Sequence, residues 1–530
     1  WEKGTRDLPV TADRGDITDT NGIVFASSGT SYTVYVRPNS VSNHSLVAEL
    51  LSQALKLSYQ DVYDKVTAKI SENTIKRKIT VEEANLIRSY NLEGVYLAAD
   101  TSREYVYGDF LSQVLGFVSS DNTGQSGLEA YYDKYLRGVD GAILTPSDLV
   151  GKELEGESAY YTPPVSGLNV VTTIDFRIQR VVENVLDLVM QGHSPKGARC
   201  IVVNPQTGEV LAMSSKPSVD LNNLPRDNIG ELMASTKNML ITDVYEPGST
   251  FKVLTAAAML EEYARGNPKA HSASYVFPNN ANFRIVDGSR VKCWTTHTSS
   301  KHCNQNLGDA LNNSCNPIFT DIGLSLGKET MYKYLSAFGY GAVSGIDFAG
   351  EQAGLLVAES AVTNGDLARI SFGQTIAVTP LQLAMATSAA VNGGLLMQPY
   401  LVKEIRTQEG ELVKKFYPTV RQRAISEKVS RELAGLLENV VTNGSGKQAY
   451  IEGFKVGGKT GTAQKYENGH IAVGKYVSSF VGFFPADNPQ YLALMLVDEP
   501  TGAHYGSTVA APYAKMIFQQ IINYKNLKPA

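Results

Sequence analysis

The sequence predicts an α+β fold in two domains, and three observations carry that prediction. Over the last two thirds of the chain a helical middle is flanked by strand-like segments at both ends, which can join into one antiparallel sheet with helices around it. The turn-rich stretch Thr162-Pro163-Pro164-Val165-Ser166-Gly167 breaks any helix and marks a boundary, so domains are expected at 1–165 and 166–530. Composition is ordinary for a globular protein: of 530 residues, 43% are apolar and 19% charged, and 48 Lys+Arg against 53 Asp+Glu leave a net charge of −5. That balance excludes a duplex-binding protein, which needs a basic excess to displace counterions. Four cysteines in so long a chain are no disulfide scaffold, and no run approaches the roughly 18 apolar residues of a membrane helix.

In the first domain, Arg14 to Gly22 reads as an extended opening that ends in an Asn21-Gly22 turn before Ile23-Val24-Phe25, a hairpin signal. From Ser45 to Tyr90 the pattern is helical. Leu46, Val47, Leu50, Leu51 and Leu55 share one face, and Thr80 caps a short helix over Val81–Ile87. Gly127–Leu136 reads as a further helix stopped by Gly138. In the second domain Leu168–Ile174 is a strand, and Ile178, Val182, Val185 and Val189 mark a helix. Ala198–Asn204 and Glu209–Ser214 form a hairpin around Pro205-Gln206-Thr207-Gly208. Lys455–Gln464, Ser479–Phe484 and Tyr491–Val497 are strands, and Val509–Ile522 is a closing helix.

The sharpest chemical signal is Glu246-Pro247-Gly248-Ser249-Thr250-Phe251-Lys252. Pro-Gly ends the preceding segment, and Val253 to Arg265 reads as a helix rich in Ala, Leu and Met. Ser249 and Lys252 then lie one turn apart on one face. A serine hydroxyl needs a nearby base to become a nucleophile, and a lysine serves when burial or a helix N-terminus destabilises its ammonium form. Ser-x-x-Lys alone is weak, since it recurs at Ser325-Leu326-Gly327-Lys328. Two further elements add weight: Ser314-Cys315-Asn316, 65 residues after Ser249, and Lys459-Thr460-Gly461-Thr462, 145 residues after Ser314. A second hydroxyl can relay a proton, an Asn can hold a substrate amide, a Lys-Thr pair can bind a carboxylate, and Gly461 lets substrate approach a strand edge. Backbone N–H groups of Ser249 and Thr462 would be the oxyanion donors. Ser120-Asp121-Asn122 is a decoy: it lies upstream, in the first domain, and reads as a loop.

The three elements in this order resemble the site of the serine β-lactamases and penicillin-binding proteins. The chain is similar nearly end to end to class B penicillin-binding proteins, the monofunctional peptidoglycan transpeptidases of division, elongation and sporulation, with the division and sporulation type fitting best. Arg14-Gly15-x-Ile17-x-Asp19-x-x-Gly22 and Gly127-Leu128-Glu129 through Leu136-Arg137-Gly138 resemble motifs of their N-terminal pedestal, a non-catalytic, dimerisation-type domain. Thr173-Ile174-Asp175, Gly345-Ile346-Asp347 to Glu351, Gly373-Gln374, Thr379-Pro380-Leu381-Gln382 and Val456 to Ala463 resemble motifs of the transpeptidase domain. The resemblance implies that Ser249 attacks the penultimate D-alanine carbonyl of a stem peptide. D-alanine leaves, and an amine of a neighbouring stem resolves the acyl-enzyme into a cross-link. Lys252 would be the base, Ser314 the relay and Asn316 the substrate contact, with Lys459, Thr460, Gly461 and Thr462 at the carboxylate site. A β-lactam would mimic the donor, and no cofactor is required for the acyl transfer.

The resemblance also implies a location on the extracytoplasmic face of a bacterial membrane and a partner glycosyltransferase of the wall-synthesis machinery. An N-terminal anchor is expected to precede the Met-less start at Trp1. The rivals are a DD-carboxypeptidase or β-lactamase using the same site, and a β-lactam sensor or inactive scaffold. A β-lactamase needs a group that activates deacylating water, and no Glu is placed for it.

Cys293-Trp294-x-x-His297-x4-His302-Cys303 stands outside these motifs. Cys293, His302 and Cys303, with Asp287 or His297 as a fourth ligand, form a set suited to a structural Zn2+. A Cys293–Cys303 disulfide and free thiols are the alternatives. Asp287-Gly288 reads as a hairpin tip. Cys200 and Cys315 are expected to be core residues, and Trp294 a packing residue.

Overall fold

The computed structural model describes residues 4–147, 160–278, 281–467 and 470–529. Trp1–Lys3, where an anchor is expected to join, lie outside the described residues. The chain forms two compact units, one of 1–108, 115–172 and 404–415, the other of 109–114, 173–403 and 416–530. The excursion Glu404–Lys415 is the part of the first unit that comes from far along the chain.

In the first unit Ile17–Thr18 and Val24–Val36 pair antiparallel across the Asn21-Gly22 turn. Asp19 Oδ1 closes that turn by accepting from the N–H groups of Asn21 and Ile23, both at 2.8 Å. Val95–Tyr105 and Asn73–Ile79 also pair with the long strand. The helices His44–Leu55, Tyr59–Val66 and Val81–Tyr90 bury Val47, Leu51, Leu55, Val62 and Ile87 in one core with it. Thr80 caps the last of these in a capping box with Glu83.

Asn73–Ile79, read from the sequence as part of a helical region, is a strand. Its Ile75 and Ile79 are buried four residues apart, a spacing that suits either period, and pairing with Val24–Val36 decides. Gly127–Leu136 is two short helices divided at Tyr132. Arg14 is buried at their junction. Its guanidinium donates to Glu129 Oε2 and Asp133 Oδ1, each at 2.6 Å, and Arg103 Nε donates to Glu129 Oε1 at 2.6 Å. The two pedestal motifs are thus the halves of one buried ion cluster.

The second unit has at its centre a five-stranded antiparallel sheet. Its order is Val210–Lys216, Gly197–Val203, Tyr491–Asp498, His470–Phe484, Gly457–Glu467. Leu492 faces Val203 and Ala493 faces Val202, so strands from both ends of the domain do meet in one sheet. Helices Phe176–His193 and Ala511–Lys525 bury Val182, Leu186, Ile517 and Phe518 on Cys200, Val202, Met495 and Phe484.

Helix Lys252–Ala264 is buried over nearly its whole circumference, from Lys252 to Glu262. A helix apolar all round belongs inside a core, and here its first residue is a lysine. Among the described residues no helix is long and apolar enough to cross a membrane.

Candidate active site

The serine sits just ahead of this buried helix. Gly248–Phe251 is a tight 3-10 turn, with Gly248 at φ +60°, and the α-helix starts at Lys252. Where the sequence predicts one turn of helix between Ser249 and Lys252, the structure has this tighter 3-10 turn, entered through the left-handed backbone of Gly248. The loop Gly373–Thr375 holds it from behind. Gly248 N–H donates to Gly373 O at 3.0 Å, and Thr375 N–H donates to Glu246 Oε1 at 2.9 Å. A Cβ on Gly373 would lie 2.0 Å from Gly248 O, so only glycine fits there.

Lys252 Nζ is the hub of the site. It lies 3.0 Å from Ser249 Oγ, 3.0 Å from Ser314 Oγ, 2.9 Å from Ser314 O and 2.7 Å from Asn316 Oδ1. Lys459 Nζ reaches Ser314 Oγ from the other side at 3.0 Å and also donates to Thr460 O. Both lysines are fully buried. Burial lowers Lys252 to about 8. Burial, and then the neighbouring Lys252 charge, hold Lys459 well below the ordinary lysine range. Ser314 is in the left-handed region at φ +52°, which a serine adopts only where its surroundings hold it there.

These residues open on a cleft of about 390 Å³. One wall is the strand Gly457–Glu467, at the edge of the sheet, which presents Thr460, Gly461, Thr462 and Gln464. An edge strand leaves alternate backbone groups free to pair with an extended ligand. A Cβ on Gly461 would lie 2.6 Å from Ser479 Oγ and 3.1 Å from Thr250 Cγ2, so the glycine lets strand and serine turn pack together. Thr462 Oγ1 accepts from Gly506 N–H at 3.0 Å. Lys459 is not part of the cleft surface; its amine is spent on Ser314, and Thr460 faces the cleft with Ser445, their hydroxyls 3.0 Å apart. Among the described residues that line the cleft, none is acidic.

The sequence reading missed Ser445, Trp294, Tyr476 and Tyr505, which also line the cleft. Gly444-Ser445-Gly446 was the available signal for the first. The aromatics come from loops and a strand that only folding brings together.

The decoys fall away on geometry. Ser325 Oγ donates to Lys269 O, and the helix ends at Leu326, before Lys328. Asn122 bonds to Thr101 Oγ1 at 2.9 Å inside the first unit. Other motif residues are scaffolding: Asp347 accepts from the N–H groups of Leu401 and Val402, and Thr379 and Gln382 form a capping box.

The metal-ligand reading needs correction at two positions. Cys293, His297, His302 and Cys315 converge, their ligand atoms all within 4.8 Å of one another. Cys303 does not join them: its thiol donates to Ser299 O at 2.7 Å. His302 takes a left-handed backbone at φ +59°, which separates the adjacent His302 and Cys303 side chains. Asp287, at the tip of the hairpin Phe283–Val286/Ser289–Lys292, accepts from Gly365 N–H at 2.7 Å and is turned away from the group. Cys315 is buried, as expected, but its thiol faces the group. No Cys293–Cys303 disulfide forms; all four cysteines are free. A hydrogen bond from Cys315 holds Cys293 far below the usual thiol range, towards thiolate, and the same bond raises Cys315.

Residues 198–522 match the penicillin binding protein transpeptidase domain, and residues 9–172 match the penicillin-binding protein dimerisation domain. The chain is 40% identical to Stage V sporulation protein D of Bacillus subtilis (strain 168), over 99% of this chain and 80% of that protein. It is 27% identical to Peptidoglycan D,D-transpeptidase FtsI of Escherichia coli (strain K12), over 98% and 85%. A peptidoglycan synthetase of Bifidobacterium adolescentis shares the fold at a TM-score of 0.79, with 24% identity over 99% of this chain and 98% of that one. With a dimerisation domain, a transpeptidase domain and these relatives, the chain belongs to the class B penicillin-binding proteins, the peptidoglycan D,D-transpeptidases of cell-wall synthesis.

Proposed function

We propose that Ser249 is the acyl-accepting nucleophile and Lys252 its base. The observation that carries this reading is the single amine, Lys252 Nζ, at 3.0 Å from both Ser249 Oγ and Ser314 Oγ. Neutral Lys252 takes the Ser249 hydroxyl proton as Oγ attacks the penultimate D-alanine carbonyl. The N–H groups of Ser249 and Thr462 hold the oxyanion. The proton then passes through Ser314 Oγ to the departing D-alanine nitrogen as the C–N bond breaks. An acceptor amine attacks the ester by the reverse path, giving its proton to the same relay and restoring Ser249. Asn316 holds the donor amide. Thr460, with Ser445, binds the terminal carboxylate, and Lys459 holds Ser314 Oγ in place from behind. β-lactams enter as donor mimics. Among the described residues that line the cleft no carboxylate is placed to activate water as a β-lactamase requires, which argues against that rival.

The first unit is the non-catalytic pedestal, expected over about residues 1–165, with the catalytic domain from 166 onward. The relative named for sporulation favours a role in spore or septal wall synthesis, on the extracytoplasmic face of an anchored protein beside a glycosyltransferase. The acyl transfer needs no cofactor. The Cys293–His297–His302–Cys315 group is a structural Zn2+ site. Its donor set fits: Cys293 Sγ to His302 Nδ1 is 3.8 Å and Cys315 Sγ to His297 Nε2 is 3.6 Å. The edges of a tetrahedron with zinc–ligand bonds of 2.0–2.3 Å are about 3.3–3.8 Å.

Incubation with a labelled penicillin and intact-mass analysis tests the nucleophile. A persistent adduct on the wild type, absent from Ser249→Ala, is expected. Rapid loss of the adduct would mean a hydrolase, and labelling that survives Ser249→Ala would overturn the assignment. Metal content of protein purified without chelator tests the second site. A metal-free protein 2 Da lighter than its reduced form would instead mean that Cys293 and Cys315 are joined.

A further inference from the structure

Three consecutive residues on one side of the cleft touch the Ser314 turn at three points. Lys292 O accepts from Asn316 Nδ2 at 3.2 Å. The Cys293 thiol meets Cys315 in the four-residue group. Trp294 Nε1 donates to Asn313 O at 3.0 Å. Lys292–Trp294 is therefore a strap over Asn313–Asn316, and its middle contact is the candidate metal site. Gln305 tightens the same turn from within, donating to Cys315 Sγ and accepting from Asn313 Nδ2 at 3.0 Å.

The turn needs such support. Ser314 has a left-handed backbone without being glycine, a strained conformation that persists only where the surroundings over-determine it. Its inner side is held by Lys252, through Ser314 O and Asn316 Oδ1, and its outer side by the strap. Trp294 is mostly exposed, so what fixes its indole is its N–H bond and its edge contacts with His302 and Tyr505, at ring separations of 6.0 and 6.4 Å. One of those rings is a candidate metal ligand and the other lines the cleft.

We infer that the strap carries the occupancy of the metal group into the acylation step. A metal held by Cys293, His297, His302 and Cys315 ties strap to turn and keeps Ser314 and Asn316 placed around Lys252. Without it, Ser314 relaxes, and the acylation step slows while ground-state binding is kept. Trp294 is a positioning residue in this arrangement, acting through Asn313. The inference rests on the metal reading of the group but asks more than that reading does.

The test separates the two. Stopped-flow acylation by a fluorescent penicillin gives the non-covalent Kd and the acylation rate constant separately. It is run on zinc-loaded, zinc-depleted and reloaded wild type, on His302→Ala and on zinc-loaded Trp294→Phe. Trp294 and Trp1 are the two tryptophans, so a Trp1→Phe background turns indole emission into a report on the strap.

The expected result is an acylation rate about tenfold lower on zinc removal, restored on reloading, with Kd within about twofold, as befits a loss of positioning. Indole emission shifts on zinc removal. His302→Ala stays slow with or without zinc. Trp294→Phe slows acylation in the loaded protein with its zinc content and Tm unchanged. Zinc that binds stoichiometrically but whose removal leaves both the rate and the indole emission unchanged would overturn the inference and leave the metal reading standing. Failure of the protein to bind zinc at all would overturn both. A loss confined to Kd, or Trp294→Phe at the wild-type rate, would show that the strap does not position the turn.

Discussion

Two clusters of buried cations, one in each unit, make opposite use of the same residue chemistry. Around Arg14 every charge is answered: Glu129 and Asp133 lie at 2.6 Å, and Arg103 shares Glu129. Burial alone would lower Arg14, but the carboxylates outweigh it and the group is raised. Around Lys252 and Lys459 the hydrogen-bond partners are hydroxyl, carbonyl and amide oxygens; burial lowers both amines, and the nearby Cys293 and Cys315 thiols offset only part of the shift at Lys252. A buried charge with a partner is architecture. A buried amine with no carboxylate beside it is a base held ready, and the difference is which acidic side chains the fold brings near.

Methionine at Lys252 and at Arg14 should break this contrast in different directions. The largest expected effect is on chemistry: Lys252→Met lowers the penicillin acylation rate by about 10³-fold, within the range for losing a general base. Acylation at a tenth of wild type or better would remove Lys252 from that role. Arg14→Met removes the buried cation that Glu129 shares with Arg103 and that Asp133 shares with Arg137. A loss of about 3–5 kcal/mol is expected, read as a lower urea midpoint of the pedestal transition. The catalytic cluster should answer the other way: Lys252→Met keeps or raises thermal stability, by about 1 kcal/mol, because it removes a buried amine that no carboxylate pairs with.

The pH dependence sharpens the contrast further. Lys252 is active as the neutral amine, so the acylation rate should rise about tenfold per pH unit towards its value of about 8 and then level off. A rate independent of pH between 6 and 8 would contradict a lysine base. The linkage has a definite sign. An unfolded lysine titrates at 10.5, so between about 8 and 10.5 the unfolded chain holds the extra proton, and folded stability rises with pH across that window. Lys252→Met should flatten this slope.

Much of this was legible in the residues, for particular reasons. The Asn21-Gly22 turn, the Thr80 cap and the Pro205–Gly208 hairpin are local, and their side chains carry the geometry with them. Ser249 and Lys252 are three apart, so helical geometry alone brings them within reach. Asn73–Ile79 was misread because its two buried isoleucines fit either period, and its partner strand lies some forty residues earlier. The metal group was half read: Cys293, His297 and His302 are close in sequence, whereas Cys315 arrives by folding and Cys303 is turned out by one backbone angle at His302.

By itself the sequence determined the family, the two-domain plan and the residues able to do acyl transfer, because those lie in short motifs whose order and spacing do not depend on packing. Tertiary structure alone decided which groups face one another. It placed Lys459 behind Ser314 instead of in the cleft, set Ser445 beside Thr460, and turned a presumed core cysteine towards two histidines. The physical reason is range. Turn and helix preferences act over a few residues, while the burial that makes Lys252 a base, and the closure of the strap on the Ser314 turn, depend on contacts between segments tens to hundreds of residues apart.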